Sequence, residues 1–213
     1  MINSLFALAV PEQHFKSMSK KKLFRAPIWD AKHPDQNPGP SPNNVLGEAH
    51  NTVVAFRTPA GSIRIKLRSD WHGPSTEAVV ALAQAGEDAC SACEIYRVEP
   101  GFLVQGILKG DLPVNDKTGC KPAPECQPGP RTMIRGDVGW AGGGPGPDFF
   151  IYLGTEPAEW LRRDHTVWGE VADEESLELA DRIVALPSST PGGEGTMRFL
   201  DDRLKLDVLP TSP

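Results

Sequence analysis

Proline and glycine interrupt this sequence so often that they exclude long regular elements from most of it. The 213 residues include 21 Pro and 21 Gly, about a fifth of the chain, whereas an average protein has roughly 12% of the two together. Proline lacks a backbone N–H and fixes φ, so it is confined to turns, edge strands and the first turn of helices. We therefore expect short strands and short helices that are joined by many turns.

The prolines also divide the chain into regions of different character. Residues 26–47 contain five prolines, which predicts an extended linker. The apolar run at residues 5–10 comes before the basic residues near it, which is the reverse of the order in a secretory signal. Three interpretations of this run stay open: a frayed tail, a secretory signal and a truncated membrane anchor. We predict an irregular N-terminal arm with a Pro-rich linker at 1–50, a folded domain at 51–209 and a short tail at 210–213.

The first part of the expected folded domain has the pattern of a β-hairpin. A β-branched run at residues 52–58 is followed by the turn signal Pro-Ala-Gly, and residues 62–68 then alternate between apolar and polar side chains. Ile63, Ile65 and Leu67 fall on one face of the second strand. We therefore expect a hairpin with one buried side and one charged side.

Two short helices are predicted, far apart in the sequence. The first begins after Pro74, with Ser75 as its N-cap, and ends near Gly86. The second begins at Asp173, carries apolar residues at helical spacing and ends before Pro187. The rest of this region has the pattern of short strands and loops, so a mostly β protein is expected.

The charge and the missing motifs disfavour several classes of function. A net charge of −6 and a pI near 5.4 are unlike those of a protein that tracks nucleic-acid phosphates. No run approaches the ~18 apolar residues that a membrane span needs, and the sequence has neither a Walker motif nor an HExxH zinc motif. The five histidines show no ligand spacing, so we expect no metal and no cofactor.

Three segments carry the remaining chemistry. Residues 95–106 (IYRVEPGFLVQG) predict two strands joined by a Pro-Gly turn, with an arginine and a glutamine on either side of an apolar pair. Residues 147–151 (PDFFI) predict a short apolar strand, and residues 159–171 (EWLRRDHTVWGEV) predict an aromatic-rich loop that leads into a strand. Taken alone, each segment also fits a purely structural role as core, lid or loop.

In their order and spacing these segments resemble the cyclophilin family of peptidyl-prolyl isomerases, over roughly residues 51–209. The resemblance implies a mostly β fold: a closed eight-stranded antiparallel β-barrel capped by two α-helices. It also implies an enzyme that isomerises X-Pro bonds of protein substrates and so assists folding or switching. The glycine-rich loop and the paired cysteines further resemble a divergent plant and algal branch of the family.

The same resemblance implies which residues form the site. Arg97 matches the arginine that hydrogen-bonds near the prolyl amide, Gln105 matches the glutamine that holds it, and His165 lies in the loop that closes the proline pocket. These three are the expected catalytic residues. The expected substrate-binding residues are Phe102, Leu103, Ala141, Gly142, Phe150, Trp160 and Leu161.

This inventory suits the rotation of an amide without cleavage of any bond. An X-Pro amide meets a barrier of ~18–20 kcal/mol because rotation breaks amide resonance. An apolar pocket grips the proline ring, and a fixed guanidinium at Arg97 stabilises the twisted amide. The sequence departs from the family pattern at Asp148, Gly142 and residues 107–109. We therefore expect a competent site with an altered peptide preference.

Two other interpretations stay open. The first is a non-catalytic cyclophilin-fold module that binds Pro-containing segments, and the second is an unrelated all-β binding protein. The expected partners are proline-containing polypeptides and, because Trp160 is present, a cyclosporin-type ligand. We expect a monomer that does not bind nucleic acid.

Four cysteines lie in two pairs near the expected catalytic strands: Cys90, Cys93, Cys120 and Cys126. They allow three pairings, and bridges would tie down the long loop at residues 111–135. Two disulfides, free thiols and a four-thiolate zinc site stay open at this point. Disulfides would imply an oxidising compartment, which favours the endomembrane or secretory lumen over the cytoplasm.

Overall fold

The computed structural model describes residues 52–108, 130, 132–141 and 148–211. Several predicted features lie outside these ranges: the N-terminal arm at 1–50, most of the loop at 111–135, Cys120, Cys126 and Gly142.

One antiparallel sheet of ten strands dominates the described residues. Its strands are β1 (Val53–Thr58), β2 (Gly61–Leu67), β3 (Glu94–Glu99), β4 (Leu103–Ile107), β5 (Asp137–Trp140), β6 (Asp148–Tyr152), β7 (Val167–Val171), β8 (Ser188–Ser189), β9 (Phe199–Lys205) and β10 (Asp207–Pro210). Their order across the sheet is β10-β1-β2-β7-β5-β6-β4-β3-β9-β8. Every pairing between neighbours is antiparallel. The predicted mostly β, antiparallel class is therefore confirmed.

The two ends of this sheet bear on the predicted barrel. They are β10 and β8, and among the described residues no pairing joins them, so closure stays a prediction. The sheet has ten strands where eight were expected, and one of these, β8, has only two residues. At the other end, β10 includes Pro210, and Thr211 donates its hydroxyl to the Val53 carbonyl at 2.7 Å. The sheet therefore continues past the predicted domain boundary at residue 209.

The first hairpin forms as the sequence predicts. Strands β1 and β2 pair from Val53 with Lys66 to Thr58 with Gly61. Gly61 has φ +134°, and a Cβ there would lie 2.9 Å from a methyl carbon of Leu179. A glycine at this position therefore permits both the tight turn and the close approach of the helix that carries Leu179.

Among the described residues, three α-helices accompany the sheet: α1 (Ser69–Gln84), α2 (Glu159–Asp164) and α3 (Glu174–Val184). The sequence predicted a start at Asp173 for α3, and Asp173 is its N-cap, accepting from the Ser176 N–H at 2.9 Å. The Ser176 hydroxyl accepts in turn from the backbone N–H of Arg64 at 2.9 Å. This bond ties the start of α3 to strand β2. The short helix α2 was predicted only as a loop.

Helix α1 begins earlier than predicted and is kinked. His72 has non-helical angles (φ −157°, ψ 93°) and separates a first turn from the rest of the helix. Its Nδ1 accepts from the Ser75 N–H at 3.2 Å, so His72 caps the longer part and Ser75 is not the N-cap. Pro74 fits there because the first turn of a helix needs no backbone donor.

The buried apolar side chains of the described residues divide into two clusters. The larger is the main core, made by the sheet with α1 and α3 and including Phe56, Ile63 and Trp168. The smaller contains Phe150 and Leu161 together with residues from α1, α2 and the segment before β5. This second cluster adjoins the polar residues that the sequence singled out, and it is called the apolar pocket cluster below.

Candidate functional site

The pairing of three neighbouring strands aligns the most important site residues. Arg97 on β3 lies opposite Gln105 on β4, and Gln105 lies opposite Phe150 on β6. Residues that lie directly opposite each other in an antiparallel sheet share a face. Arg97, Gln105 and Phe150 therefore form a row across one face of the sheet, which brings a cation, an amide and an aromatic ring together.

Phe150 continues this row towards a glycine. Its partner on β5 is Gly139, and a Cβ there would lie 3.0 Å from the Thr166 carbonyl oxygen and 3.4 Å from the Phe150 ring. The missing side chain leaves room for the ring, which is only 2% exposed. No sequence pattern connects Gly139 with the site, because only the strand order brings Gly139 and Phe150 together.

Arg97 is held from two sides. Its Nη1 donates to the Gln105 Oε1 at 2.9 Å, and its Nε donates to the Glu99 Oε1 at 3.2 Å. Glu99 also accepts from the backbone N–H of Arg198 at 2.9 Å. The Arg97 side chain is 16% exposed, so it is fixed yet reachable. Glu99 is not among the predicted site residues, although its spacing of two residues from Arg97 in a predicted strand places both side chains on one face.

The far side of Gln105 is also bonded. Its Nε2 donates to the Tyr96 hydroxyl oxygen at 2.6 Å, and the Tyr96 hydroxyl donates to the Asp148 Oδ1 at 3.0 Å. Burial and the neighbouring Asp148 carboxylate raise the pKa of the Tyr96 phenol well above its usual range. The phenol therefore stays protonated at neutral pH. The sequence drew attention to Asp148 but not to Tyr96.

The apolar pocket cluster lies beside this polar row. Its buried members are Trp71, Leu103, Met133, Phe150, Tyr152, Ala158, Leu161 and Val167, with Phe102 and Ala141 packed against them. Leu103, Phe150 and Leu161 are the buried members that the sequence predicts as site residues. Val167 lies in the aromatic-rich segment at residues 159–171, whereas Trp71, Met133, Tyr152 and Ala158 come from segments that carried no motif.

Two aromatic side chains form an exposed rim. Trp160 on α2 is 52% exposed, and its ring stacks on Phe102 with centroids 5.9 Å apart. Phe102 meets Tyr152 edge to face at 6.1 Å. An exposed aromatic surface that continues into a buried apolar cluster suits an amphipathic peptide segment.

His165 follows α2 and points to the same cluster. Its ring lies 5.0 Å from the Phe150 ring at an angle of 73°, and its Nδ1 lies 2.9 Å from the Trp140 carbonyl oxygen. A carbonyl oxygen only accepts, so Nδ1 carries the proton and donates. This bond fixes the ring against the edge of the pocket.

The expected backbone-pairing segment lies at the edge of the described structure. Ala141 packs against the apolar pocket cluster, and its N–H donates to the Asp148 carbonyl at 2.8 Å. That donor is therefore already used within the protein. Gly142 lies outside the described residues, so its part in substrate pairing stays a prediction.

The cysteine pairing is partly settled. Cys90 and Cys93 form a disulfide between the end of the short 3₁₀ helix at Glu87–Cys90 and the residue just before strand β3. Both sulfurs of this pair are used, so neither cysteine bridges to Cys120 or Cys126. The bond closes only a short loop and does not tie down residues 111–135, as a bridge between the two pairs would have done. Cys120 and Cys126 lie outside the described residues.

The described part of the chain has neither a cluster of metal ligands nor a helix of membrane-spanning character. No group of three or more His, Cys, Asp or Glu side chains there is placed to hold a metal ion. No helix among the same residues is long and apolar enough to cross a membrane.

Comparison with known proteins gives a consistent match. The family model described as "Cyclophilin type peptidyl-prolyl cis-trans isomerase/CLD" matches residues 53–202. Peptidyl-prolyl cis-trans isomerase B of Streptomyces anulatus is 30% identical over 159 residues, covering 66% of this chain and 88% of that protein. Peptidyl-prolyl cis-trans isomerase A of Mycobacterium tuberculosis is 31% identical over 150 residues, covering 62% and 79%. A Cryptosporidium parvum cyclophilin type isomerase, crystallised in the presence of the dipeptide Ala-Pro, is 19% identical, with a TM-score of 0.49, and the match covers 76% of this chain and 99% of that one.

Proposed function

The chain belongs to the cyclophilin-type peptidyl-prolyl cis-trans isomerase family, and we propose that it isomerises X-Pro bonds of proteins at the site around Arg97. One observation carries this proposal. A guanidinium fixed by Gln105 and Glu99 lies beside an apolar cluster that contains the buried Phe150. This is the combination that a twisted prolyl amide requires: a dry surface for the ring and a preorganised donor for the amide.

The chemistry follows from the amide itself. Rotation about the C–N bond breaks resonance, so the nitrogen regains its lone pair in the transition state. A donor near that nitrogen interacts more strongly with the twisted amide than with the planar one, and this difference lowers the barrier. Arg97 suits the role because its guanidinium stays charged and presents a rigid set of N–H groups. No bond of the peptide is broken.

The apolar pocket cluster is proposed to hold the proline ring and to exclude water. Phe150 and Leu161 would form its buried surface, and His165 would close one edge. The exposed Trp160 and its stacked partner Phe102 would contact the residues that flank the proline. The same exposed ring supports the further proposal that a cyclosporin-type ligand binds here.

The peptide preference is proposed to depend on Asp148. Its carboxylate lies beside the polar row and is bonded by Tyr96, so it adds negative charge to this end of the site. An acidic residue next to the proline would be repelled. We therefore expect peptides with neutral or basic residues before proline to be turned over better than peptides with Asp or Glu there.

A second function is supported by one feature, the ion pair between Glu99 and Arg97. A carboxylate against the guanidinium offsets part of the positive charge that a twisted amide would use. A non-catalytic module that only binds Pro-containing segments would tolerate this. The two functions differ in whether bound peptide exchanges faster than free peptide.

The test is a protease-coupled isomerase assay on a panel of short X-Pro peptides. Wild type should exceed the uncatalysed rate, and Arg97→Ala should lose about a hundredfold or more of kcat/KM, as when a preorganised donor is removed. Arg57→Ala is the matched control, since Arg57 is a half-exposed arginine that pairs with Asp207 in another part of the sheet. If folded wild type shows no activity on any peptide, the isomerase function fails and the non-catalytic binding module is the remaining interpretation.

The compartment and the oligomeric state are proposals too. The Cys90–Cys93 disulfide supports an oxidising compartment such as the endomembrane or secretory lumen. A monomer is proposed because one chain supplies both the polar row and the apolar cluster. Placement in a plant and algal branch of the family stays a prediction.

A further inference from the structure

A chain of hydrogen bonds with a single direction runs behind the proposed active site. Arg97 can only donate, so the Gln105 atom that faces it must be the amide oxygen. The amide nitrogen of Gln105 then faces Tyr96 and donates to the phenol oxygen. The phenol hydrogen is left for Asp148, whose carboxylate only accepts. Every donor is thus fixed by its neighbour.

The two ends of this chain carry opposite charges. It begins at a guanidinium and ends at a carboxylate, and bonds of this kind that involve an ion are stronger than neutral ones. Reversing the Gln105 amide would place its NH₂ against the guanidinium and its oxygen against the phenol. The first contact would be repulsive, so the chain holds one orientation of the amide.

A local irregularity of β3 makes this chain possible. Ile95 pairs with Gly106 and Arg97 pairs with Gln105, so Tyr96 is an extra residue in the strand. In a regular strand, adjacent side chains point to opposite faces, but a bulge redirects one of them. Here the bulge lets Tyr96 and Arg97 both reach Gln105, one at each end of its amide.

The surroundings of Tyr96 keep its ring in place without the hydroxyl. The ring stacks on Phe199, with centroids 6.3 Å apart and planes 18° apart. The Arg203 guanidinium lies 6.0 Å above the Tyr96 ring. Removal of the hydroxyl alone therefore tests the hydrogen bonds while the ring and its packing remain.

We propose that Tyr96 is a positioning residue of the isomerase site. Its hydroxyl, which donates to the Asp148 carboxylate, fixes the Gln105 amide and, through that amide, the Arg97 guanidinium. Its catalytic consequence rests on the proposed isomerase function. Its structural consequence, one orientation of the Gln105 amide, holds in the folded protein without any turnover.

The kinetic test compares Tyr96→Phe with wild type on one X-Pro peptide. Because the hydroxyl that accepts from Gln105 and donates to Asp148 is lost, Gln105 holds Arg97 less firmly, and kcat should fall about fivefold, while KM should change by less than about twofold. Thr58→Val is the matched control, since it removes a hydroxyl that donates to a backbone carbonyl at 3.0 Å in the first hairpin. Its kcat should equal that of wild type.

Variants of Asp148 test the fixed end of the chain. Asp148→Asn keeps an oxygen that accepts from Tyr96, whereas Asp148→Ala does not, so the alanine variant should lose more of kcat. In the Tyr96→Phe background Asp148→Ala should add little to the loss of kcat, because the two residues act through one bond. Fully additive losses would contradict the proposed path.

The direct readout is the nitrogen–proton NMR spectrum of the Gln105 side-chain amide and the Arg97 Nε–H. The Gln105 signals are assigned by their loss in Gln105→Glu. In Tyr96→Phe both sets should move towards the positions of exposed side chains, and in Thr58→Val they should stay. Unmoved signals, or an unchanged kcat, or a change in KM alone, would overturn the positioning role.

The two proposals fail in different ways. If wild type does not accelerate exchange of any peptide, the proposed function fails, and the NMR signals still decide the structural role of Tyr96. If wild type is active but Tyr96→Phe matches it in kcat and in both signals, only the role of Tyr96 is overturned.

Discussion

The apolar and the polar halves of the proposed site are built in different ways. The apolar pocket cluster gathers side chains from α1, α2, the segment before β5 and three strands, and no single contact defines it. The polar half comes from three neighbouring strands, and each of its bonds has one donor and one acceptor. An apolar cluster tolerates gradual change, whereas a directional chain loses its order when one link is removed. We therefore expect apolar changes to act on stability and KM, and polar changes to act on kcat.

The largest effect is expected from the apolar half. Phe150→Ala empties a buried position beside Gly139, and loss of a buried Phe side chain costs about 3–5 kcal/mol of unfolding free energy. Urea unfolding measures this loss. Phe150→Leu, which keeps most of the volume, should remain folded and raise KM more than it lowers kcat. A leucine variant with normal KM and a low kcat would break the division between the two halves.

The next effect concerns the polar half. Gln105→Glu still accepts from Arg97 but can no longer donate to Tyr96, and it places a second carboxylate near Asp148. We expect kcat to fall about tenfold, because the hydrogen bond that residue 105 donates to Tyr96 is lost. We expect little change in KM. Steady-state kinetics with the same peptide measure both. An unchanged kcat would show that an oxygen accepting from Arg97 is enough for full turnover and that the bond to Tyr96 is not needed.

A change outside both halves provides the reference. Asp173→Ala removes the N-cap of α3 and should cost about 1 kcal/mol of unfolding free energy, while kcat stays normal. A reduced kcat in a fully folded Asp173→Ala protein would mean that the scaffold and the site are coupled.

The same residue gives a pH prediction. Burial raises the pKa of Asp173, but hydrogen bonds from Ser176 and Arg64 outweigh this effect and hold it below its usual range. A carboxyl with a lowered pKa stabilises the fold above the unfolded pKa of about 3.9, and this contribution is lost as the pH falls through the folded pKa. Wild type should therefore lose more stability than Asp173→Asn in urea unfolding below about pH 4. Parallel curves would contradict this.

The smallest effect is expected at Glu99. Glu99→Gln keeps an oxygen that accepts from Arg97 and from the Arg198 N–H but removes the negative charge. We expect kcat to rise by about threefold, within the range of a partly exposed ion pair. A fall in kcat instead would show that the carboxylate serves to hold the guanidinium and does not weaken it.

Much of this arrangement could be predicted from local sequence. The alternation of Ile63 and Ile65 predicts the first hairpin, and Asp173 predicts the start of α3. Arg97, Gln105 and Phe150 were named from a resemblance, and the strand register brings them together. Each of these signals is a short pattern or an ordered motif.

The rest depends on features that leave no local pattern. The bulge at Tyr96 is set by how β3 meets β4, so nothing in the sequence linked this residue with Gln105. The helix is kinked at His72, whose ring takes the N-capping role that the sequence predicted for Ser75. Met133 reaches the pocket only through the fold, beside Ala158.

The most direct measurement is exchange NMR of one Ala-Pro peptide at saturating protein, which separates binding from isomerisation on the protein. The account predicts that Arg97→Ala still binds the peptide, because the apolar pocket cluster is intact, while the cis–trans exchange rate of the bound peptide falls by about a hundredfold. Exchange of bound peptide that is as fast in Arg97→Ala as in wild type would contradict the account.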